Sequence, residues 1–431
     1  MNTTITISRW TDIIQYFLPI FTTPTAQIFA SLVTGWVLCT ARRTICGILP
    51  FADPDGQRAH DAYHRFFPDA SWAISKLWRM LTILLVKIFY PSAVIPTDLD
   101  DTLFHRTGRK VNGAGWWRDA VRSTGTKVVH AWGLNLVVLT VRVNPPWGGE
   151  PLGLPINMRL HRKDGPTLTD LAQQMLTEVA AWLPGRRFIN HSDGFYASLT
   201  GREIPNTHII SRMRRDAKIY DLPAKNRNKQ RGRPRKRGKR LPCPQQLAKL
   251  VRSWKLVETL ERGKSKKRLV YRRKVIWYKV SEKPVLLVIS RDPEGKEKDD
   301  FFFTSDLELS AAEVIGGFAG RWSIEDTIKN TKQFLGGQQP QTFKGKGPER
   351  AAALSLWLYS AVWLWFLQQR NAGKLMVALP WYPSKAHPSF QDALACLRRA
   401  LWRQRIKSMF GKSIVHDKNF EFLIEALAHA A

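Results

Sequence analysis

Short apolar groups recur at three- and four-residue steps through the first 88 residues, as in Ile13, Ile14, Phe17 and Leu18. That spacing gathers apolar side chains on one helical face, so it predicts a helical region over 1–88. The period changes near Pro91. Ser92 to Leu103 is an apolar-leaning run that ends in acids. Thr126 to Val143 is long and β-branched, broken near Gly133, and reads as two strands. Leu152 to His161 is a further strand candidate. Leu168, Leu171, Met175, Val179 and Trp182 restore helical spacing until Pro184 and Gly185 stop it. Arg187 to Asp193 reads as a short strand ending in an acid. Later runs, Arg268 to Val280, Pro284 to Ile289 and Asp300 to Thr304, read as strands. Ala311 to Leu335 reads as one helix with Ser310 as its N-cap. Helical patterning returns from about 347 to the end. Helices, strands, a helix, a strand, a basic insertion and more helices predict a mixed α/β core interrupted by an insertion.

Ala351 to Leu367 is uncharged for 17 residues, the lower limit for crossing a bilayer. Its Ala, Leu and Trp content, between Arg350 and Arg370, reads as a buried helix of a globular domain. Met1 to Phe21 lacks a basic segment followed by a clean apolar core, so no signal peptide is expected and the location implied is cytoplasmic.

Charge sharpens the picture. In 431 residues, 67 Lys and Arg face 35 Asp and Glu, a net charge of +32. That balance argues against an ordinary metabolic enzyme and for a polyanionic partner. A 44% apolar share and 17 Trp argue against global disorder. Residues 201–280 hold 27 basic and 5 acidic residues, so 27 − 5 leaves +22 in one fifth of the chain. At its middle lies Arg231 to Arg240, RGRPRKRGKR, which reads as a mobile loop. Its RGRP resembles an AT-hook core, in which two arginines, here Arg231 and Arg233, lie along a narrow minor groove; the default reading is nonspecific phosphate contact by Arg231, Arg233, Arg235, Lys236 and Arg237. Four cysteines form no CxxC pair, so neither a zinc knuckle nor a disulfide framework is read.

Three acidic positions stand out. Strand-like runs lead into Asp98, Asp100 and Asp101 and into Asp193, while Glu325 lies on the helix FAGRWSIEDTIKNTK. On an unbroken helix Phe318, Arg321, Glu325 and Lys332 fall within a sector of about 60°. Arg321 and Glu325 are also an ordinary stabilising pair. Asp100 and Asp101 point to opposite faces of a regular strand, so one of them is the cleft residue. Asp98 shares the Asp100 face. His191 and His105 read as packed or solvated histidines.

The helix spacing, an aromatic at 318, Arg321, Glu325 and Lys332, resembles the Tyr-x2-Arg-x3-Glu-x6-Lys signature of a group of DDE insertion-sequence transposases. Phe318 stands where that group has Tyr. Asp100-Asp101-Thr102 resembles the group's first acidic motif and favours Asp100; Asp193, Gly194 and Tyr196 resemble its second. The resemblance covers roughly residues 90–340 and implies a ribonuclease H-like core that cuts and joins DNA. Asp100, Asp193 and Glu325 would then be the catalytic metal ligands for two Mg²⁺ ions, for which Mn²⁺ substitutes. Hard cations want oxygen donors, and two of them can activate the attacking oxygen and stabilise the leaving one. Arg321 and Lys332 would hold phosphates. Trp322 would stack on a displaced base, or else is a core residue. The division implied is an end-recognising region over 1–88, a core over 89–215 and 305–370 split by a basic insertion over 216–304, and a helical region over 371–431. The partner would be double-stranded DNA, bound by a homodimer or larger assembly in the bacterial nucleoid. An inactive DNA-binding descendant, and a nuclease of the same core without strand transfer, are the alternatives.

Overall fold

An 11-residue strand, β1 (Ile95–His105), is the axis of the molecule. Its odd-numbered neighbours Ile95, Thr97 and Leu99 are all buried, and so is Asp98, so both faces of the strand are covered at its start. In the computed structural model, which describes residues 9–223, 235–376, 381–410 and 418–429, five helices precede it. They are α1 (Trp10–Phe17), α2 (Thr23–Leu38), α3 (Ile45–Ala52), α4 (His60–Phe66) and α5 (Ile74–Phe89). After β1 come β2 (Gly115–Arg118), β3 (His130–Val143), β4 (Leu152–His161), α6 (Leu168–Trp182), β5 (Phe188–Ser192) and β6 (Thr207–Arg212). The basic region contains α7 (Pro244–Leu250), β7 (Lys255–Glu261), β8 (Lys264–Val275), β9 (Val285–Arg291) and β10 (Asp300–Thr304). The chain closes with α8 (Ala311–Gly320), α9 (Ser323–Gln333), α10 (Gly347–Leu367), α11 (Phe390–Phe410) and α12 (Lys418–His429).

All ten strands share one sheet, ordered β2-β3-β1-β5-β6-β10-β9-β8-β7, with β4 also on the outer side of β3. β4, β3 and β1 are antiparallel, and β5 and β6 continue parallel to β1. This is the ribonuclease H-like mixed sheet flanked by helices that the resemblance implies. The strands of 216–304 do not build a sheet of their own. β10 pairs antiparallel with β6 and carries β9, β8 and β7 outward. The outermost strands expose Lys255, Lys264, Lys266 and Lys267. Lysines of this kind keep a free sheet edge from pairing with another chain.

Two strand readings need correction. β3 is one strand, not two, because Gly133 is there for close approach and not for a turn. A Cβ at Gly133 would lie 2.4 Å from the Phe104 carbonyl oxygen on the neighbouring strand. β2, β6 and β7 are additional to the strands expected from the sequence, and in β2 Trp116 and Trp117 lack the alternation of a half-buried strand. The described part of the basic decapeptide is not a free loop. Residues 224–234, including Arg231 and Arg233, lie outside the described residues, but 235–240 are tied down. Asp221 accepts from the Gly238 amide and donates to the Lys239 carbonyl, at 2.8 and 2.9 Å. Arg237 lies over the rings of Tyr220 and Tyr278, and Lys236 pairs with Glu282.

The N-terminal helices wrap around α10, whose middle turns are buried on every side. Trp357 meets Phe17 and Phe29 edge-on, with centroids 5.0 and 5.3 Å away. Each such side chain contributes roughly 1.5–3 kcal/mol by leaving water. Among the described residues α10 is the one helix long and apolar enough to cross a membrane, and 94% of its apolar window is buried inside the protein. Arg350 at its start donates through its two terminal nitrogens to the carbonyls of Phe67 and Trp72 and lies over the Trp72 ring. The C-terminal arginines are packing residues. Arg398 donates to the carbonyls of Val37 and Cys39, Arg399 pairs with Glu425, and Arg403 with Glu421.

Candidate active site

The site begins where the pairing of β5 runs out. β1 and β5 run side by side up to Leu99 opposite Ser192, and there β5 ends. Asp100 therefore lies inside β1, not at its end. It stands at the first position whose parallel neighbour has turned away. Asp193 is the residue that turns. Its carboxylate caps a 3₁₀ segment, Gly194–Gly201, by accepting from the Phe195 amide at 2.9 Å. A crevice opens at such a point because one strand continues while the next departs.

Glu325 reaches the crevice from above. α8 lies on the outer half of the sheet, where Val314, Ile315 and Phe318 bury against Ile210, Leu286, Val288 and Phe302. α9 continues over β1 and β4, where Thr327 donates to the Gly153 carbonyl. Between them the helix tightens. The Arg321 and Trp322 amides bond three residues back, to Phe318 and Ala319, as do those of Ile324 and Glu325, to Arg321 and Trp322. The expected single helix over Ala311–Leu335 is thus two helices joined by a 3₁₀ turn. Gly320 marks the place, since a Cβ there would meet the Arg142 guanidinium at 2.6 Å.

Arg321 joins the acids. It donates through Nη1 to Asp100 at 2.8 Å and through Nη2 to Glu325 at 2.9 Å. Its planar fork fixes the spacing of two carboxylates that lie 225 residues apart in sequence. Burial opposes its charge, but Asp100, Glu325 and Asp193 outweigh that and raise its pKa. Asp100, Asp193 and Glu325 thus act electrostatically on one guanidinium. Burial pushes the Asp100 carboxyl up to about 7; Arg321 opposes this, while the charges of Asp101 and Asp193 add to it. Asp101 points the other way and accepts from the Tyr196 hydroxyl at 3.0 Å. Burial raises its pKa too, with Tyr196 opposing. So Asp100 faces the helix-borne glutamate and Asp101 is held by a tyrosine.

Beneath Asp100 lies a saturated network. Asp98 is fully buried, paired with Arg142, whose Nε donates at 3.1 Å, and accepts from Ser323 at 3.2 Å. His191, its register partner, donates from Nδ1 to the Thr97 carbonyl, 3.0 Å away. Burial works against the charge of Asp98, but Arg142 and then His191 hold its carboxyl below the usual range. The sequence gives no sign of this network: Arg142 is the next-to-last residue of a 14-residue strand and carries no local signal.

The mouth of the crevice is basic and aromatic. A cavity of about 440 Å³ is lined by Asp193, Arg212, Arg262, Arg268, Phe318 and Trp322, among others. Phe318 packs on Phe302 with Arg212 and Arg321 on its ring. Trp322 is not a core residue. It is 44% exposed, and Arg262 lies over its ring at 5.1 Å. Arg262 and Gly263 form the tip of the β7–β8 hairpin, both at positive φ, +52° and +74°. Such a two-residue turn suits the twist of the strands it joins. Arg262 also pairs with Glu150 at 3.0 Å.

Lys332 is set apart from the acids. Seven residues beyond Glu325, about 10 Å along the helix, its ammonium lies over the Phe104 ring. Burial draws its pKa down to about 8, with Asp119 opposing. Asp119 pairs with His105, which lines a second cleft together with Arg42, Arg106, Arg109 and Lys110. Within it the Nε and Nη2 atoms of Arg106 are buried without a hydrogen-bond partner. Among the basic residues of the insertion, Arg235 is exposed.

The acids suit a divalent cation by their chemistry. The charges of Asp101 and Asp193 add to the raised pKa of Asp100, and that of Asp193 adds to the raised pKa of Asp101, so positive charge at this point would relieve crowding, and all donors are hard oxygens. A family model described as DDE superfamily endonuclease matches residues 16–283. The match contains Asp100 and Asp193 and ends before Glu325. No curated protein matches the sequence significantly. A piggyBac transposase in a synaptic complex with hairpin DNA, solved by cryo-electron microscopy, is similar at a TM-score of 0.44 and 10% identity, over 99% of this chain and 87% of that one.

Proposed function

The chain belongs to the DDE superfamily endonucleases, and from that premise we propose that it is the transposase of a bacterial insertion sequence, cutting at the element's ends and joining them to target DNA. The observation that carries this reading is the single guanidinium of Arg321 spanning Asp100 and Glu325, with Asp193 beside them. Asp100, Asp193 and Glu325 would hold two Mg²⁺ or Mn²⁺ ions, which when bound supply activation of the attacking oxygen and stabilisation of the leaving one. Arg321 keeps the two carboxylates in register and presents positive charge to a scissile phosphate. Tyr196 holds Asp101 away from the cluster. Trp322, exposed at the mouth and backed by Arg262, offers a face on which a base displaced from the duplex can stack. Lys332 and the cleft of Arg42, Arg106, Arg109 and Lys110 take phosphates further along the duplex.

The sheet extension and the decapeptide, Arg231, Arg233, Arg235, Lys236 and Arg237 among them, form the main duplex-binding surface. Counterion release makes that binding salt-dependent, with a slope of about −0.9 per phosphate neutralised. In functional terms the regions are 1–88 for end recognition, 89–215 with 305–370 for catalysis, 216–304 for duplex binding, and 371–431 as a helical closure. Two ends are held by a homodimer or larger assembly in the cytoplasm, at the nucleoid.

A plasmid carrying the DNA that flanks the coding region, incubated with protein and Mg²⁺ or Mn²⁺, tests this. Strand transfer is expected for the native chain. Asp193→Ala is expected to keep DNA affinity and lose cleavage by about 10³-fold or more. Cleavage by Asp193→Ala at the native rate defeats the site. Cleavage without joining identifies a nuclease, and binding alone an inactive descendant.

A further inference from the structure

Cys46, His60 and His64 meet at the surface of the N-terminal helices, away from any carboxylate of the crevice in both sequence and element. His60 and His64 are one turn apart on α4, so their rings share a face. Cys46 is the second residue of α3. Its sulfur lies 3.4 Å from His60 Nε2 and 3.5 Å from His64 Nε2, and the two nitrogens are 3.1 Å apart. Those three lengths are close to the edges of a tetrahedron around a zinc ion. Bonds of about 2.0–2.1 Å to nitrogen and about 2.3 Å to sulfur give edges of about 3.3 Å and about 3.6 Å.

The surrounding chain holds the three donors in place. Thr44 caps α3 by accepting from the Gly47 amide at 3.0 Å. Gly47 allows the fold-back, since a Cβ there would meet the Arg42 carbonyl at 2.1 Å. Asp53 fixes the turn into α4, accepting from the amides of Gln57 and Arg58 and from the Tyr63 hydroxyl at 2.9–3.0 Å. Cys46 and His60 are exposed and His64 half-buried, so an ion has free access. Among the described residues the group holds no fourth donor.

We propose that Cys46, His60 and His64 bind a borderline-soft divalent ion, zinc, that clamps α3 to α4 and leaves one coordination position to water. One thiolate and two imidazoles suit zinc and exclude magnesium, which wants oxygen. Binding releases the Cys46 thiol proton to solvent. The site is separate from the carboxylate crevice and does not depend on the reaction proposed above. Sequence spacing contained the signal, Cys46-x13-His60-x3-His64, but a search for paired cysteines passes over it.

The full-length chain, freed of any metal-binding tag, is equilibrated with buffered zinc and its metal content measured. About one zinc per chain is expected. Cys46→Ser and the double variant His60→Gln, His64→Gln should lose it, while Cys243→Ser and Asp193→Ala keep it. Cobalt exchange should give a thiolate-to-cobalt charge-transfer band in the native chain. Cys46→His, which preserves a ligand, should keep the metal and lose that band, which separates loss of a ligand from loss of fold. Zinc should raise the melting temperature of the native chain and not of Cys46→Ser. Zinc content in the native chain no higher than in the double variant, or zinc kept by Cys46→Ser and the double variant alike, overturns the proposal.

Discussion

Asp98 and Asp100 stand two residues apart on one strand, point to one face, and each has an arginine, yet they are opposite kinds of carboxylate. At the floor of the crevice Asp98 is enclosed by Arg142, Ser323 and His191, and its charge is stabilised. Higher in the crevice Asp100 shares Arg321 with Glu325, and burial, with the charges of Asp101 and Asp193 added, opposes its charge. The floor is saturated and therefore structural. The acids around Asp100 carry more negative charge than the Arg321 guanidinium balances, as expected of carboxylates proposed to take a divalent cation.

The widest test of that contrast is activity. Asp100→Asn should cut DNA cleavage by about 10³-fold or more, whereas a loss below tenfold would move the catalytic role to Asp101. Asp98→Ala should act on folding: leaving Arg142 buried without its partner costs roughly 3–5 kcal/mol in denaturant unfolding. A loss under 1 kcal/mol would mean the floor is not what holds β1 to β3. The third test uses pH in metal-free protein. Asp100 has a folded pKa of about 7, above its unfolded value of about 4, so the native state loses stability as pH rises between those values. Asp100→Asn should remove that slope and be more stable than the native chain by about 1–3 kcal/mol at pH 8, after discounting for partial solvent access. The difference should vanish by about pH 4. Asp98, with its folded pKa depressed, has the reverse sign. Its contribution is present above about 4 and is lost as pH falls through its folded value. Finally, Trp322→Ala should weaken binding of an unpaired end by about 1–2 kcal/mol, read by titration, with Trp322→Phe restoring most of it. Equal binding by both variants would leave the mouth without a stacking role.

Much of this arrangement could be read in the chain. Short apolar runs and helical spacing located β4, α6, β5 and β10 closely. Glu325 was legible through its spacing from Arg321. What sequence left out was set by contacts at long range. Gly133 looks like a break until the Phe104 carbonyl is placed against it. The helix over Ala311–Leu335 looks continuous until Arg142 meets Gly320 and the turn tightens. Lys332 shares a face with Glu325 on a helical wheel, yet two turns of rise put it over Phe104 instead. The choice between Asp100 and Asp101 depended on Tyr196, which only the turn after Asp193 brings near.

The continuity of the sheet through β10, β9, β8 and β7 limits how this protein can be altered. α8 lies mainly on those strands, with β6 and β5 beneath its other side, and Phe318 at its end supports the turn from which Arg321 projects. Excising the basic segment, or exchanging it for that of a relative, would not merely weaken the proposed grip on a duplex. It would leave the last third of the chain without the platform that aims its glutamate, so grip and cut are inherited together.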